Sequence, residues 1–288
     1  MVKKKRKQTV RTVEAIESVK NLLIEKPHIS IKDIASSVGI TPSSTYRIIS
    51  KDLGLKLICS KYVPKILDPM QKQERVFYSK KLLKIFKNSE YNLRKVIAID
   101  ETWIESFNVS SKRKRSQYLE KGSAKKTLEK GNKFQKKWLY AIAFNSRGET
   151  FQKNIGKYEK LNSKWYINKF LSPLIKLWKQ KHPRWGNPIL IQDNALPHVS
   201  KQTKLFLDNL GVQYPKLPPY SPDLSPPDFW LFPKLKDLLS LKRYKYSKHV
   251  GINIKLTLKK IPILSYRNTF DTWIRRLKTG VKTGGEYI

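Results

Sequence analysis

Acidic residues are scarce in this 288-residue chain: 22 Asp and Glu stand against 60 Lys and Arg, for a formal net charge of +38. An excess of that size goes beyond what surface solubility needs and implies a polyanionic partner, with nucleic acid ahead of a membrane surface. Cysteine is rarer still. Cys59 stands alone, which excludes an intrachain disulfide and a cysteine-rich zinc site. The four histidines, His28, His182, His198 and His249, show no metal-ligand spacing. Any catalytic metal must therefore be held mainly by oxygen, which favours Mg²⁺ or Mn²⁺. No run reaches the ~18 apolar residues of a membrane-spanning helix, and the N-terminus has no signal-like apolar stretch. A soluble, intracellular protein is expected, and 39% hydrophobic residues with seven Trp suffice for a core.

The chain opens with MVKKKRKQ, five basic residues in its first seven. This basic arm, residues 1–10, reads as a nuclear address, as a solvated arm touching phosphates, or as both. From Arg11 to Lys26 apolar Val13, Ile16, Val19, Leu22 and Leu23 recur at helical spacing, and Pro27 ends the run. Ser30 can cap a second helix carrying Ile31, Ile34, Ala35 and Val38. Gly39 then turns the chain, and Thr41 caps a third helix with Pro42 in its first position. The pattern predicts a helix-turn-helix over residues 11–56. Its outward residues Ser43, Ser44, Tyr46, Arg47 and Ser50 suit base edges and phosphates in a major groove. An ordinary helical hairpin is the competing reading, and the basic setting weighs against it.

Residues 57–92 read as a linker, with Pro64 and Pro69, and a helix through Lys87. The remainder, 93–288, changes character. KVIAID, WLYAIAFN and NPILIQDN read as strands, with an amphipathic helix, disturbed at Pro173, before the third. Strands interleaved with helices predict an α/β catalytic domain. Ser110 to Lys137 is too long, polar and lysine-rich for an ordinary connection.

Two strand-like runs end in an acid, Asp100 after VIAI and Asp193 after ILIQ. One such acid is usually a turn or helix cap. Two of them, with a third at Asp228 in the proline-stiffened LPPYSPDLSPPDFWLF, suit a two-metal phosphoryl-transfer centre, which needs carboxylates converging from several elements. Within that segment Asp223 reads as a turn or capping acid and Asp228 as the metal ligand.

Together DETW, QDNALPH and YSPDLSPPDFWLF resemble the signatures of mariner-type transposases. The spacing agrees, with 92 residues between Asp100 and Asp193 and 34 between Asp193 and Asp228. KYVPKIL is similar to the family's linker motif, and FDTWIRRLKTGVKTGGEYI to its closing helix and Gly-Gly-aromatic tail. The resemblance implies an RNase H-like catalytic domain behind a helix-turn-helix DNA-binding domain, with an Asp100, Asp193 and Asp228 triad holding two Mg²⁺ or Mn²⁺ ions. It implies double-stranded DNA partners (transposon inverted repeats and a TA target), a homodimer, and action in the nucleus. It also places Ser110 to Lys137 where relatives clamp a partner subunit. The family uses two helix-turn-helix units, whereas about ten residues precede the first helix here. Two readings follow: an active transposase, or a catalytically inactive, host-recruited DNA-binding derivative. Glu101 is expected at the surface or behind the ligands, and His198 in a structural role.

Overall fold

The computed structural model describes residues 10–58, 63–86, 90–107 and 135–288. The basic arm, Lys61 and Tyr62 of the linker motif, and nearly all of the lysine-rich stretch from 110 to 137 lie outside them. The chain divides into two compact units, Met1–Tyr62 and Val63–Ile288.

In the first unit, helix Val13–Glu25 is capped by Thr12, whose hydroxyl accepts from Ala15 N. Ser30 caps Ile31–Val38, accepting from Asp33 N while donating to that residue's carboxylate. Gly39 then adopts φ 70°, the left-handed conformation that lets the chain reverse. Thr41 caps Pro42–Arg47, with Pro42 in the first turn. The helix runs on through Ile48–Asp52 as a wider π turn. Val19, Ile34 and Ile48, one from each helix, form the core, so this region is a helix-turn-helix. Val13 does not join it: it sits one turn too early and is 79% exposed.

The second unit is built on a four-stranded sheet in the order β3-β2-β1-β4. β1 (Val96–Glu105) pairs antiparallel with β2 (Lys137–Asn145), β2 antiparallel with β3 (Thr150–Ile155), and β1 parallel with β4 (Ile189–Ile191). The first three strands form a meander, and a helical crossover leads to β4, as an RNase H-like fold requires. β1 and β2 are buried on both faces. Ile97, Ile99, Ala141 and Ala143 pack under Trp165, Phe170 and Trp178. Val96, Ala98, Ile142 and Phe144 face Leu231, Phe270 and Trp273.

Two expectations about the strands need correction. β3 was not expected, because TFQKNI mixes polar with apolar residues as an edge strand can. The turn before it is tight: Asn145 Oδ1 accepts from the N–H of Arg147 and Glu149, and Gly148 has φ 76°. Asp100 does not end β1 but lies inside it, opposite Ile142. Thr102 and Trp103, opposite Tyr140 and Leu139, carry the pairing onward, as β-branched and aromatic residues do.

The helix expected as part of a separate linker block, Pro69–Phe86, belongs to the larger unit. Its Leu82 and Phe86 join the core, where Phe86 meets Trp273 of helix Ile263–Lys282. Arg75, 1% exposed, forms a bidentate pair with Asp223 at 2.9 and 2.7 Å. The same guanidinium donates to Ser221 Oγ and to the carbonyls of Gly285 and Glu286. Asp223 is thus a scaffold acid, as expected. Gly285 (φ 90°) has no room for a side chain, since a Cβ there would stand 2.2 Å from the Lys72 carbonyl oxygen.

The prolines leave a common signature. Pro173 follows the wide turn Tyr166–Leu171, and Pro233 follows the wide turn Pro227–Leu231. A helix that meets a residue without an N–H loses an i→i−4 bond, and widening the preceding turn accommodates the ring.

Candidate active site

β4 ends at Ile191, opposite Ala98, whereas β1 continues to Glu105. Past Ala98, β1 therefore has no β4 partner on that side, and its next residues border an opening at the carboxyl end of β4, where ligand clefts of α/β sheets form. Asp100 lies there on the Ala98 face and Glu101 on the opposite face, by the alternation of a strand. Asp193 follows two residues after β4. Asp228 enters from a third element, in the first turn of Pro227–Leu231. Half-buried Phe229 and Trp230 and buried Leu231 and Phe232 pack that segment onto the core.

The three acids act on one another. Burial raises the Asp100 carboxyl well above its ordinary value, and the charges of Asp228, Glu101 and Asp193 push it further. Asp228 is raised as well, by burial first and by Asp193, with hydrogen bonds to Ser225 and Asp100 and the charge of Lys236 offsetting part of it. Asp193 moves the other way. Burial alone would raise it, but the hydrogen bond and charge of His198, with the Ala195 N–H at 3.0 Å, hold it below the ordinary range.

His198 is the residue that sequence reasoning undervalued. Its side chain is fully buried; Nδ1 lies 2.6 Å from Asp193 Oδ1 and Nε2 lies 3.3 Å from Glu101 Oε1. Burial opposes the imidazolium, yet these two carboxylates outweigh it and push His198 up to about 10. The ring rests on Tyr166, 4.4 Å between centroids, and Tyr166 donates to Gln192 Oε1 at 2.6 Å. Glu101 is thereby drawn to the site as the acid that shares the imidazolium with Asp193. No spacing rule announces this link, because it joins Glu101 on β1 to His198 on the short helix Leu196–Val199, 97 residues away.

The donor set suits a hard divalent cation: carboxylate oxygens, crowded enough to raise one another, with no sulfur. Among the described residues no three His, Cys, Asp or Glu side chains are grouped tightly enough to hold one ion together. Mg²⁺ is commonly bound by one or two carboxylates with water and substrate phosphate completing the shell, so pairs of acids suffice. A groove of about 530 Å³ opens beside Asp193, bordered by Lys204, Tyr214 and Lys216, cations and a ring suited to a phosphate chain.

The residues expected to meet DNA divide into two groups. Ser43, Tyr46 and Arg47 are exposed on Pro42–Arg47 and its continuation. Ser44 and Ser50 are half-buried, and their hydroxyls are engaged locally, Ser44 with Thr41 and Ser50 donating to the Tyr46 carbonyl. Turning the helix to seat Thr45 and Ile48 in the core draws these two serines toward the backbone.

Comparison with known proteins agrees with this geometry. Residues 95–247 match the family model described as DDE superfamily endonuclease. The human histone-lysine N-methyltransferase SETMAR is 29% identical over 231 residues, which is 79% of this chain and 33% of that protein. The mariner Mos1 transposase of Drosophila mauritiana is 27% identical over 198 residues, 67% of this chain and 56% of that protein. The match thus spans about a third and just over half of these relatives. In structure, the mariner Mos1 paired end complex with Mg superposes with a TM-score of 0.76 at 21% identity, covering 100% of this chain and 84% of that one.

Proposed function

We propose, since this chain belongs to the DDE superfamily endonucleases, that it is a mariner-type DNA transposase which binds transposon inverted-repeat ends, cuts there, and joins the freed ends to a TA target. The observation that carries the reading is the convergence of Asp100, Asp193 and Asp228 from three elements, close enough that Asp100 is driven well above its ordinary pKa by burial and by its neighbours.

The proposed ligands are Asp100, shared, and Asp193 and Asp228, one on each side. Two divalent cations bound there, Mg²⁺ or Mn²⁺, would supply Lewis acidity to phosphate oxygens and lower the pKa of the attacking water or 3′ hydroxyl. The chain's own residues prepare the site. Burial and the neighbouring acids make the Asp100 carboxylate costly to form, a cost that a bound cation would offset. Asp193 is kept ionised and oriented by His198, and Asp228 is steadied by Ser225. Ser43, Tyr46 and Arg47, exposed on one helix, would read transposon ends, and the basic surface would hold the phosphate backbone. A homodimer pairing two ends, and a nuclear address in the basic arm, complete the proposal.

The test is cleavage of duplexes carrying the inverted repeats of its own element, with Mg²⁺ or Mn²⁺. Wild type is expected to nick at the repeat ends, and Asp193→Ala to bind the same duplex without nicking. Equal cleavage by the two proteins overturns the assignment. Binding without cleavage by wild type under all metal conditions identifies instead an inactive DNA-binding derivative.

A further inference from the structure

A second cationic feature lies away from the acids, at the other end of the sheet. A cleft of about 470 Å³ opens where β1 begins and the β2–β3 turn reverses. Arg94 reaches it from just before β1, Arg147 from the turn, and Arg267 from helix Ile263–Lys282. All three are exposed. Among the described residues of the lining, one acid, Asp271, stands with the three arginines. Its walls include the rings of Phe270 and Trp185, and the Arg147 guanidinium stacks over Trp185 at 4.8 Å.

The choice of cation is informative. The chain carries 13 arginines among its 60 basic residues, yet all three basic residues of this cleft are arginine. Lysine supplies charge to a surface, whereas the planar guanidinium fork matches phosphate oxygens in pairs and stacks on rings. Apolar walls of low dielectric focus the field of such groups into the cleft. About 13 Å of strand separates Val96 from Asp100, so the cleft opens on a different part of the sheet from that acid.

We propose that this cleft is a second DNA-binding site, which grips the phosphate backbone of a duplex segment that is not being cut. The inference rests on reading the chain as a DNA-handling protein, and its test is made without cleavage so that the two can fail separately.

Binding of the full chain to a 30-base-pair duplex of arbitrary sequence is measured in EDTA across a salt series. Three proteins are compared: wild type, the triple variant Arg94→Gln, Arg147→Gln and Arg267→Gln, and a control with Lys248→Gln, Lys255→Gln and Lys259→Gln, which removes the same charge from exposed positions elsewhere. Equal melting temperatures establish that all three are folded, and an Arg→Lys triple at the cleft keeps the charge. The cleft variant is expected to bind at least about tenfold more weakly than the control near 0.1 M salt, with a log–log salt slope shallower by roughly three. The Arg→Lys triple should fall between them. A cleft variant that binds as well as the control overturns the site. Loss of binding to polyglutamate with no loss toward the duplex would assign the cleft to an acidic protein and overturn the DNA assignment. No duplex binding by wild type would remove the functional reading on which the inference stands.

Discussion

His198 Nδ1 stands 2.6 Å from Asp193 Oδ1, and the ring making that contact is wholly buried while the carboxylate is half exposed. An imidazolium therefore acts as an internal counter-ion, leaving one face of Asp193 open to the groove beside it. His198→Ala would leave two carboxylates near each other without their shared cation. The expected cost is about 3 kcal/mol, the low end of the range for breaking a buried pair because Asp193 is partly solvated. Nicking should fall by at least about a hundredfold. His198→Asn, which can place an amide N–H near the Nδ1 position, should recover part of both. Chemical denaturation and a nicking assay on the same preparations decide it, and unchanged stability in His198→Ala would refute the clamp.

The same contact sets a pH dependence. The folded-state value of His198, about 10, lies above its ordinary 6.5. The stabilisation is therefore fully present below about pH 6.5 and is lost as pH rises toward 10. Melting curves of wild type should decline across that window, and those of His198→Asn should decline less. Parallel profiles would show that His198 does not carry the charge.

Asp100 and Asp228 predict an opposition between stability and activity. Both are raised, chiefly by burial, and the charge of Asp228 adds to the rise at Asp100 while that of Asp193 adds to the rise at both. Without divalent ions, Asp228→Asn should be more stable than wild type by about 1 kcal/mol, as relief of like-charge crowding at a site often gives. It should also abolish nicking. Mg²⁺ or Mn²⁺ should raise the melting temperature of wild type more than that of the variant, which differential scanning fluorimetry reads directly.

Arg75 offers a structural prediction independent of catalysis. Its guanidinium is buried and engaged by Asp223, Ser221 and two backbone carbonyls. Arg75→Ala should cost about 3 to 5 kcal/mol by stranding Asp223 and those acceptors. Arg75→Lys should recover only part, because a point charge cannot bridge a carboxylate and two carbonyls in one plane. Equal urea midpoints for wild type and Arg75→Lys would refute the role given to the fork.

Some of this was legible in the residues and some was not, for physical reasons. Caps and punctuation were local: Ser30, Gly39, Thr41 and Pro42 each do what their chemistry dictates within three or four residues. Strands buried on both faces, such as VIAI and ILI, announced themselves by continuous apolar runs. The end of β1 did not, because whether a strand stops at Asp100 depends on the neighbour opposite Thr102 and Trp103. The edge strand β3 hid for a similar reason, being only partly buried. The roles of Arg75 and His198 depend on partners 148 and 97 residues away, and no periodicity encodes such pairings. Asp223 and Asp228, five residues apart, were separable only by what stiffens each: one sits in a proline turn, the other in the first turn of a helix.

The Arg75 anchorage also bears on the life of the polypeptide after synthesis. Gly285 and Glu286 offer their carbonyls to that guanidinium, and Ile288 N donates to Asp223 at 3.0 Å. A chain without residues 285–288 would keep Asp100, Asp193 and Asp228 but would strip the buried Arg75 guanidinium of two of its acceptors. Such a chain should unfold more often and be proteolysed faster than the intact one. Residues 285–288 thus bear on how long the folded chain persists, although none of them is one of the three converging acids.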